Sequence, residues 1–215
     1  MAIPREAGRA TYSTNIRALK RIPMTALQKA VITGSLLGDA CVHSNWSKTN
    51  YRLQVRHSRD QEAYVLWKHK IFEDFVLTPP KSYERTRSVW FRTISHPDIT
   101  KLHEVFYRDG KKIIPSDIHH RIKDPLVMAI WFMDDGNAVV RKSILCGYHL
   151  NSQSFSKAEN ERLVDAIAKA HGIECTVERN HAYYRLAIWR KASRERFAHL
   201  VRPHVLPSMK YKLVV

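Results

Sequence analysis

No apolar run in these 215 residues approaches the roughly 20 that a membrane span needs, so a membrane-spanning class is excluded from the start. The chain also shows no secretory signal, no lipidation motif and no long basic amphipathic helix, which argues against an anionic membrane surface as its partner. Cysteine is scarce. Cys41, Cys146 and Cys175 form no C-x-x-C pair and no zinc-ligand spacing, and they read as reduced thiols in or near a core. The 12 histidines are scattered, with His119–His120 the only adjacent pair and no H-x-x-x-H helix, so they read as surface or loop residues. Asp134–Asn137 opens like a calcium loop, but its glycine comes too early and the closing glutamate is missing. The tyrosines and tryptophans fall at core-like strand or helix positions. Acid is the other shortage. Lys and Arg outnumber Asp and Glu by 36 to 20, a net charge of +16. Such an excess disfavours compactness and is usually kept for a polyanion, with nucleic acid the first candidate.

What acid there is stands in an odd place. Thr25–Cys41 and Asp124–Asn137 are apolar runs of helix length that end in bare carboxylates, Asp39 and Asp135, 96 residues apart. A helix C-terminus already carries partial negative charge, so an acid there works against stability. Two such acids at matching ends suggest that divalent cations offset the repulsion. The first helix is predicted to begin at Thr25, where Thr25 and Gln28 make a capping box. Gly34 and Gly38 lie four apart on it, leaving a smooth stripe for close approach. The second is predicted to begin with Asp124 as N-cap and Pro125 at the first helical position, and to end at Gly136. It has no small-residue stripe, and Ala129 and Ile130 would hold the two axes farther apart.

The order of elements after each helix repeats. Strand Tyr51–His57, helix Arg59–Phe75, strand Ser88–Ser95, helix Pro97–Phe106 and the tetrapeptide Ile113–Ser116 follow the first. Strand-like Ser143–Ser154, helix Ser156–His171, strands Cys175–Arg179 and Ala182–Arg190, helix Ser193–Val201 and the tetrapeptide Val205–Ser208 follow the second. The spacing predicts an internal duplication, each half αββαββα, within an α+β fold: a fused pseudo-twofold pair. The boundaries expected are a basic N-terminal arm at 1–23, one half at 24–121 and the other at 122–215. The short link near Pro115–Lys123 implies halves that touch, with the two capped helices as the seam.

Ile32–Ala40 (I-T-G-S-L-L-G-D-A) and Met128–Gly136 (M-A-I-W-F-M-D-D-G) resemble the two signature motifs of LAGLIDADG homing endonucleases, in their monomeric two-motif subgroup. Asn151–Phe155, Lys111–Pro115 and Tyr211–Leu213 extend the resemblance over nearly the whole chain. It departs at Leu37 and Met133, acidic in the eponymous motif, and at Ala40, which stands for a glycine. The resemblance implies paired central helices beneath a saddle of two antiparallel sheets. It implies a site-specific endonuclease that cuts double-stranded DNA at a long asymmetric target and leaves 3′ overhangs. Asp39 and Asp135 would bind Mg²⁺, with carbonyls of Gly38 and Asp134 as added ligands. Mn²⁺ would substitute, and Ca²⁺ would bind without turnover. Asp134 is the local rival of Asp135. The resemblance also points to one lysine per half, Lys112 and Lys212, with Lys111 and Lys210 as competitors. It implies an intracellular site of action, in a bacterium or an organelle. Two other readings use the same scaffold: an RNA maturase acting on its host intron, and a DNA-binding regulator without catalysis.

A DNA-binding face is expected on the strands, where every second residue points the same way. Arg52, Gln54 and Arg56 form one row, with Arg85, Arg87 and Arg92 extending it. In the second half the analogues are Asn151, Gln153, Arg185 and Arg190, with Arg141 and Lys142 on the loop after the motif. Arg suits guanine and phosphate; Asn and Gln suit adenine.

Overall fold

A computed structural model describes residues 14–213. The chain divides into two compact units. Among the described residues the first is 14–29 with 41–103, and the second is 30–40 with 104–213. Residues 1–13 of the expected basic arm lie outside the described residues. The rest of that arm carries helix α1 (Thr14–Leu19), whose Ile16 is buried against Phe75 and Ile94.

Helix α2 (Ala26–Leu37) opens as its sequence demands. The Thr25 backbone N–H donates to Gln28 Oε1 (3.0 Å) and the Gln28 N–H donates to Thr25 Oγ1 (3.1 Å), a reciprocal capping box. In the first unit follow β1 (Cys41–Ser44), β2 (Tyr51–Ser58), α3 (Glu62–Ile71), β3 (Lys81–Tyr83), β4 (Ser88–Arg92) and α4 (Pro97–Phe106). The strands form an antiparallel sheet in the order β1-β2-β4-β3. Leu53, Val55 and His57 turn inward, while Arg52 and Gln54 are half-buried and Arg56 is exposed on the other side.

The second unit adds a short hairpin, β5 (Tyr107–Arg108) with β6 (Lys111–Lys112), and helix α5 (Ile118–Arg121). It then repeats the pattern with α6 (Pro125–Asp135), β7 (Gly136–Arg141), β8 (Ile144–Leu150), α7 (Lys157–His171), β9 (Thr176–Asn180), β10 (Tyr183–Ile188) and α8 (Lys191–Val201). Its sheet has the order β7-β8-β10-β9, the same permutation as the first. Each copy is therefore αββαββα, and the duplication read from the sequence is present strand for strand. Strands β1, β3 and β7 and the β5–β6 hairpin went unpredicted. They are short, or polar, or run on directly from a helix, so alternation has too few residues to register.

The two motif helices pack more tightly than expected. A Cβ on Gly34 would lie 2.6 Å from Ile130 Cβ and 2.7 Å from Val127 O, and one on Gly38 would lie 2.5 Å from Asp134 Cβ. Ala129 and Ile130 do not hold the axes apart, because glycines on α2 alone make room for the larger side chains of α6. Replacing Gly34 by Ala is expected to destabilise the protein by about 1–3 kcal/mol through overpacking, despite the better helix propensity of alanine. Urea unfolding monitored by circular dichroism checks this; an unchanged midpoint would show that the seam has slack.

Aromatic placement also differs, with Trp46, Tyr83, Tyr183 and Tyr211 exposed. Trp131 is fully buried, but Trp46 is 98% exposed. It sits in the β1–β2 turn, where Asn45 Oδ1 accepts the Thr49 and Asn50 backbone N–H groups and shapes a tight loop. Hydropathy alone does not separate a hairpin tip from a strand.

Candidate functional site

Every candidate for catalysis belongs to the second unit. Helix α6 begins with Asp124, whose side chain accepts the Leu126 N–H (2.9 Å), and with Pro125 at its first position. It runs apolar and buried through Asp134 and delivers Asp135 as its last residue. Gly136 follows in extended geometry (φ −95°), so its role is space. A Cβ there would meet the Phe132 ring at 2.0 Å. Helix α2 stops at Leu37; the Gly38 N–H still bonds Gly34 O (3.2 Å), and Asp39 lies just beyond.

The two ends converge on one cleft of about 880 Å³ whose lining includes Asp39, Asp135, Lys112, Asn151 and Gln153. The Asp39 and Asp135 side chains are within hydrogen-bonding reach of each other. Burial, then the facing Asp39 and the adjacent Asp134, push the Asp135 carboxyl up to about 8, and Lys112 pulls it the other way. The Asp134 side chain points away from the cleft. At 5% exposed, it lies against Gly38 in the helix seam and does not line the cleft.

Each lysine covers the end of a motif helix. Lys112 Nζ donates to Gly38 O (2.7 Å), and Lys212 Nζ donates to Met133 O (2.6 Å) and Asp134 O (2.9 Å). An ammonium at a helix C-terminus satisfies carbonyls that have no intrahelical partner and opposes the negative helix end. The same cations therefore favour two carboxylates placed where the helix disfavours them. Lys112 comes from the β5–β6 hairpin, which turns through Asp109 (φ +50°) and Gly110 (φ +73°); Lys212 comes from the six-residue 3₁₀ segment Pro207–Lys212. Lys111 is exposed on the same hairpin and Lys210 is exposed on the 3₁₀ segment.

Two residues that the sequence reading passed over hold Lys112 in place. Glu159 Oε1 accepts the Ile114 N–H (2.9 Å), and Arg162 Nη2 donates to Ile114 O (2.7 Å). Glu159 also closes the Ser156 capping box of α7. The S-x-x-E signature at Ser156 was visible in sequence, but its second use, across 45 residues, was not. Replacing Glu159 by Ala is expected to lower stability by about 1–2 kcal/mol, since it removes a cap and leaves the Ile114 N–H unpaired. Thermal unfolding checks this, with Glu159→Gln retaining part of the loss.

The remaining candidates fall into three groups. Arg52, Gln54, Arg56 and Arg92 share one face of the first sheet: Gln54 pairs with Cys41 on one side and Arg92 on the other, and Arg52 pairs with His43. Lys81 and Trp90 extend that face beside Arg56. Arg85 and Arg87 are not in its strands; they occupy the turn between β3 and β4, Arg87 with φ +43°. Arg141 ends β7 opposite Ile144, and Lys142 with Ser143 forms the β7–β8 turn, Lys142 with φ +48°. Asn151 and Gln153 sit not on the sheet but at the cleft, the Asn151 N–H bonding Asp135 O (2.9 Å). Arg185 is on β10, opposite Glu178 and 3.6 Å from it. Arg190 precedes α8 and pairs with Glu174 (2.7 Å). Among the described residues no helix is long and apolar enough to cross a membrane.

Two carboxylates, with no third acid, histidine or cysteine completing a metal-ligating group among the described residues, and hard carbonyl oxygens nearby form a sparse oxygen-donor set. That set fits Mg²⁺, which commonly takes one or two protein carboxylates and completes its octahedron with water and phosphate. It does not fit zinc, which wants nitrogen or sulfur donors.

Known proteins carry the same layout. The chain is 29% identical to the probable intron-encoded endonuclease 1 of Wickerhamomyces canadensis, over 89% of this chain and 85% of that protein. It is 25% identical to the cytochrome b mRNA maturase bI2 of Debaryomyces hansenii, over 89% of this chain and 75% of that one. It also matches mycobacterial RecA proteins, of whose length it spans about half, 51% in Mycolicibacterium chitae. The homing endonuclease I-WcaI, solved bound to its DNA recognition sequence, superposes with a TM-score of 0.85 at 26% identity, covering 94% of this chain and 93% of that one. Residues 29–195 match the LAGLIDADG DNA endonuclease family, and with both motif helices, the repeated sheet order and the paired acids in place, the chain belongs to that family.

Proposed function

We propose that this protein is a monomeric, site-specific double-strand DNA endonuclease of the intron-homing kind. The observation that carries the reading is the meeting of Asp39 and Asp135 in one cleft, with Lys112 beside them. Asp39 and Asp135 would hold the divalent cation, and the carbonyls of Gly38 and Asp134, already bonded to the lysines, keep lone pairs for a further ligand. Bound Mg²⁺ supplies a Lewis acid for the phosphoryl oxygens and lowers the pKa of an attacking water. Lys112 and Lys212 set the depth and orientation of the two acids through the helix-end carbonyls. As a strand enters, Lys112 would face the developing phosphoryl charge, with Lys111 also in the lining, and Asn151 and Gln153 contribute neutral donors to the same cleft. Mn²⁺ is expected to substitute, and Ca²⁺ to bind without turnover.

Recognition would come from the strand faces, with Arg52, Gln54, Arg56 and Arg92 in the first unit and Arg185 in the second. Because the two halves differ in sequence, the target is long and asymmetric. Cutting across the intervening minor groove leaves 3′ overhangs. With +16 net charge, affinity is expected to fall steeply as salt rises. The likeness to an intron-encoded protein supports a site of action beside DNA, in a bacterium or an organelle.

Selection of cleavable sites from a randomised duplex library in Mg²⁺ tests the proposal. A single long consensus cut to leave 3′ extensions is the expected result. No metal-dependent cleavage from any pool would remove the enzyme from consideration. The likeness to an mRNA maturase favours RNA binding as a second reading. Tight binding of the host intron's RNA, with intact DNA left uncut, would select it.

A further inference from the structure

The second unit has another cleft, of about 400 Å³, on the helix side of its sheet. Lys191, Arg194, His199 and Arg202 line it, with Glu195 the one acid of the lining. Tyr148, 1% exposed, forms part of the floor. Its ring packs among Phe132 and Phe197, which marks this as the core side of β8; His149, the next residue, faces the other side. Burial raises the Tyr148 hydroxyl pKa, and the nearby Arg202 and Arg194 guanidiniums pull it back. Arg194 is anchored by donating to Leu145 O.

The internal duplication supplies a control. Helix α4 is the first-copy counterpart of α8, and it carries Asp98 and Glu104 against Lys101. Its Asp98 is engaged by fold contacts, accepting the Met24 N–H (3.0 Å) and pairing with Lys29 (3.6 Å). The element therefore folds without a basic stripe. On α8 the residues at positions 191, 194 and 198 recur at helical spacing, and Arg202 follows just past its end still in right-handed helical geometry, so Lys191, Arg194 and Arg202 line one side. Within the cleft Lys191 lies 3.9 Å from Glu195, a loose and exposed pair; outside it Arg190 pairs with Glu174, and Arg196 donates to Gly172 O (2.9 Å). Neither lines the cleft.

We propose that this cleft is a second anion site, which takes a phosphate group on the side of the sheet away from the Arg185 face. Guanidinium forks match phosphate oxygens, and two of them with an ammonium outweigh the single carboxylate at Glu195. The volume admits a nucleotide-sized group. The ligand is the phosphate of a nucleic-acid strand or a free phosphate compound, and the two sources are separable by experiment.

Calorimetric titration of the full chain with inorganic pyrophosphate, and separately with a ten-nucleotide single-stranded DNA, tests this. The variant K191Q/R202Q alters two exposed side chains and leaves the anchored Arg194 in place. A control variant, K123Q/K169Q, removes the same charge at exposed positions outside the cleft. The site predicts about a tenfold loss of affinity in K191Q/R202Q and less than a twofold loss in the control, with melting temperatures unchanged. Loss for both probes supports the site with a strand as its ligand; loss for pyrophosphate alone supports it with a free phosphate compound. Equal losses in the two variants, or none in either, would overturn it, since binding would then follow net charge or another surface. Affinity for the target duplex is read in parallel and reports on the endonuclease proposal, not on this one.

Discussion

Asp39→Asn and Asp135→Asn are each expected to abolish DNA cleavage while leaving target affinity nearly intact. The argument is one of charge. A carboxamide keeps the shape and the hydrogen-bonding reach of the carboxyl but cannot supply the negative oxygen that a hard cation requires. Losing about 4 kcal/mol of transition-state stabilisation corresponds to a rate drop of about 10³-fold. Binding should survive because the strand-face arginines lie elsewhere in the sequence and structure, on β2, β4 and β10. Affinity may be checked by gel shift in Ca²⁺, and rate by single-turnover cleavage in Mg²⁺. If Asp134→Asn alone silenced the enzyme and Asp135→Asn did not, the assignment of the cleft acid would be reversed. The structure argues against that outcome, since Asp134 is turned into the seam against Gly38.

The second large effect is on stability against pH in metal-free protein. Asp135 has a folded-state pKa near 8, above its ordinary 3.8. A raised carboxyl pKa means that the folded state holds its proton more tightly than the unfolded chain. Its contribution to stability is complete below pH 4 and is lost as pH climbs through about 8. The loss over that window is on the order of a few kcal/mol. Buried His96 and His149 tilt the other way near pH 6, because burial lowers their pKa values and the folded state then favours their neutral forms. The measurement is therefore a difference. In chelator, the melting temperature of Asp135→Asn should overtake that of the wild type as pH rises from 5 to 8.5. Added Mg²⁺ should restore the wild type and leave the variant unmoved. Parallel curves for the two proteins would mean that the carboxyls do not repel each other in solution.

Much of this was legible before any coordinates. The Thr25 capping box, the Asp124–Pro125 start and the Pro97–Phe106 helix are local matters, decided by groups within a turn of each other. The duplication was legible because the order of elements recurs even where residues differ. The lysine positions came only from the family pattern; nothing in their neighbourhood marks Lys112 apart from Lys111. What separates them is the hairpin's alternation, which turns Lys112 toward Gly38 and leaves Lys111 exposed. Asn151 and Gln153 were placed on a strand because the apolar alternation of β8 runs up to them. They belong to the cleft because the Asn151 N–H takes Asp135 O as its acceptor and ends the strand.

Periodicity, capping and charge balance thus sufficed for the element order, the paired acid-ended helices and a basic excess suited to a polyanion, since each is a short-range or summed property of the residues. The convergence of Asp39 with Asp135, the burial of Asp134, and the Glu159–Arg162 hold on Ile114 depend on side chains dozens of residues apart. Only packing in three dimensions decides those, because close contact and desolvation are properties of the assembled core and leave no trace in local sequence.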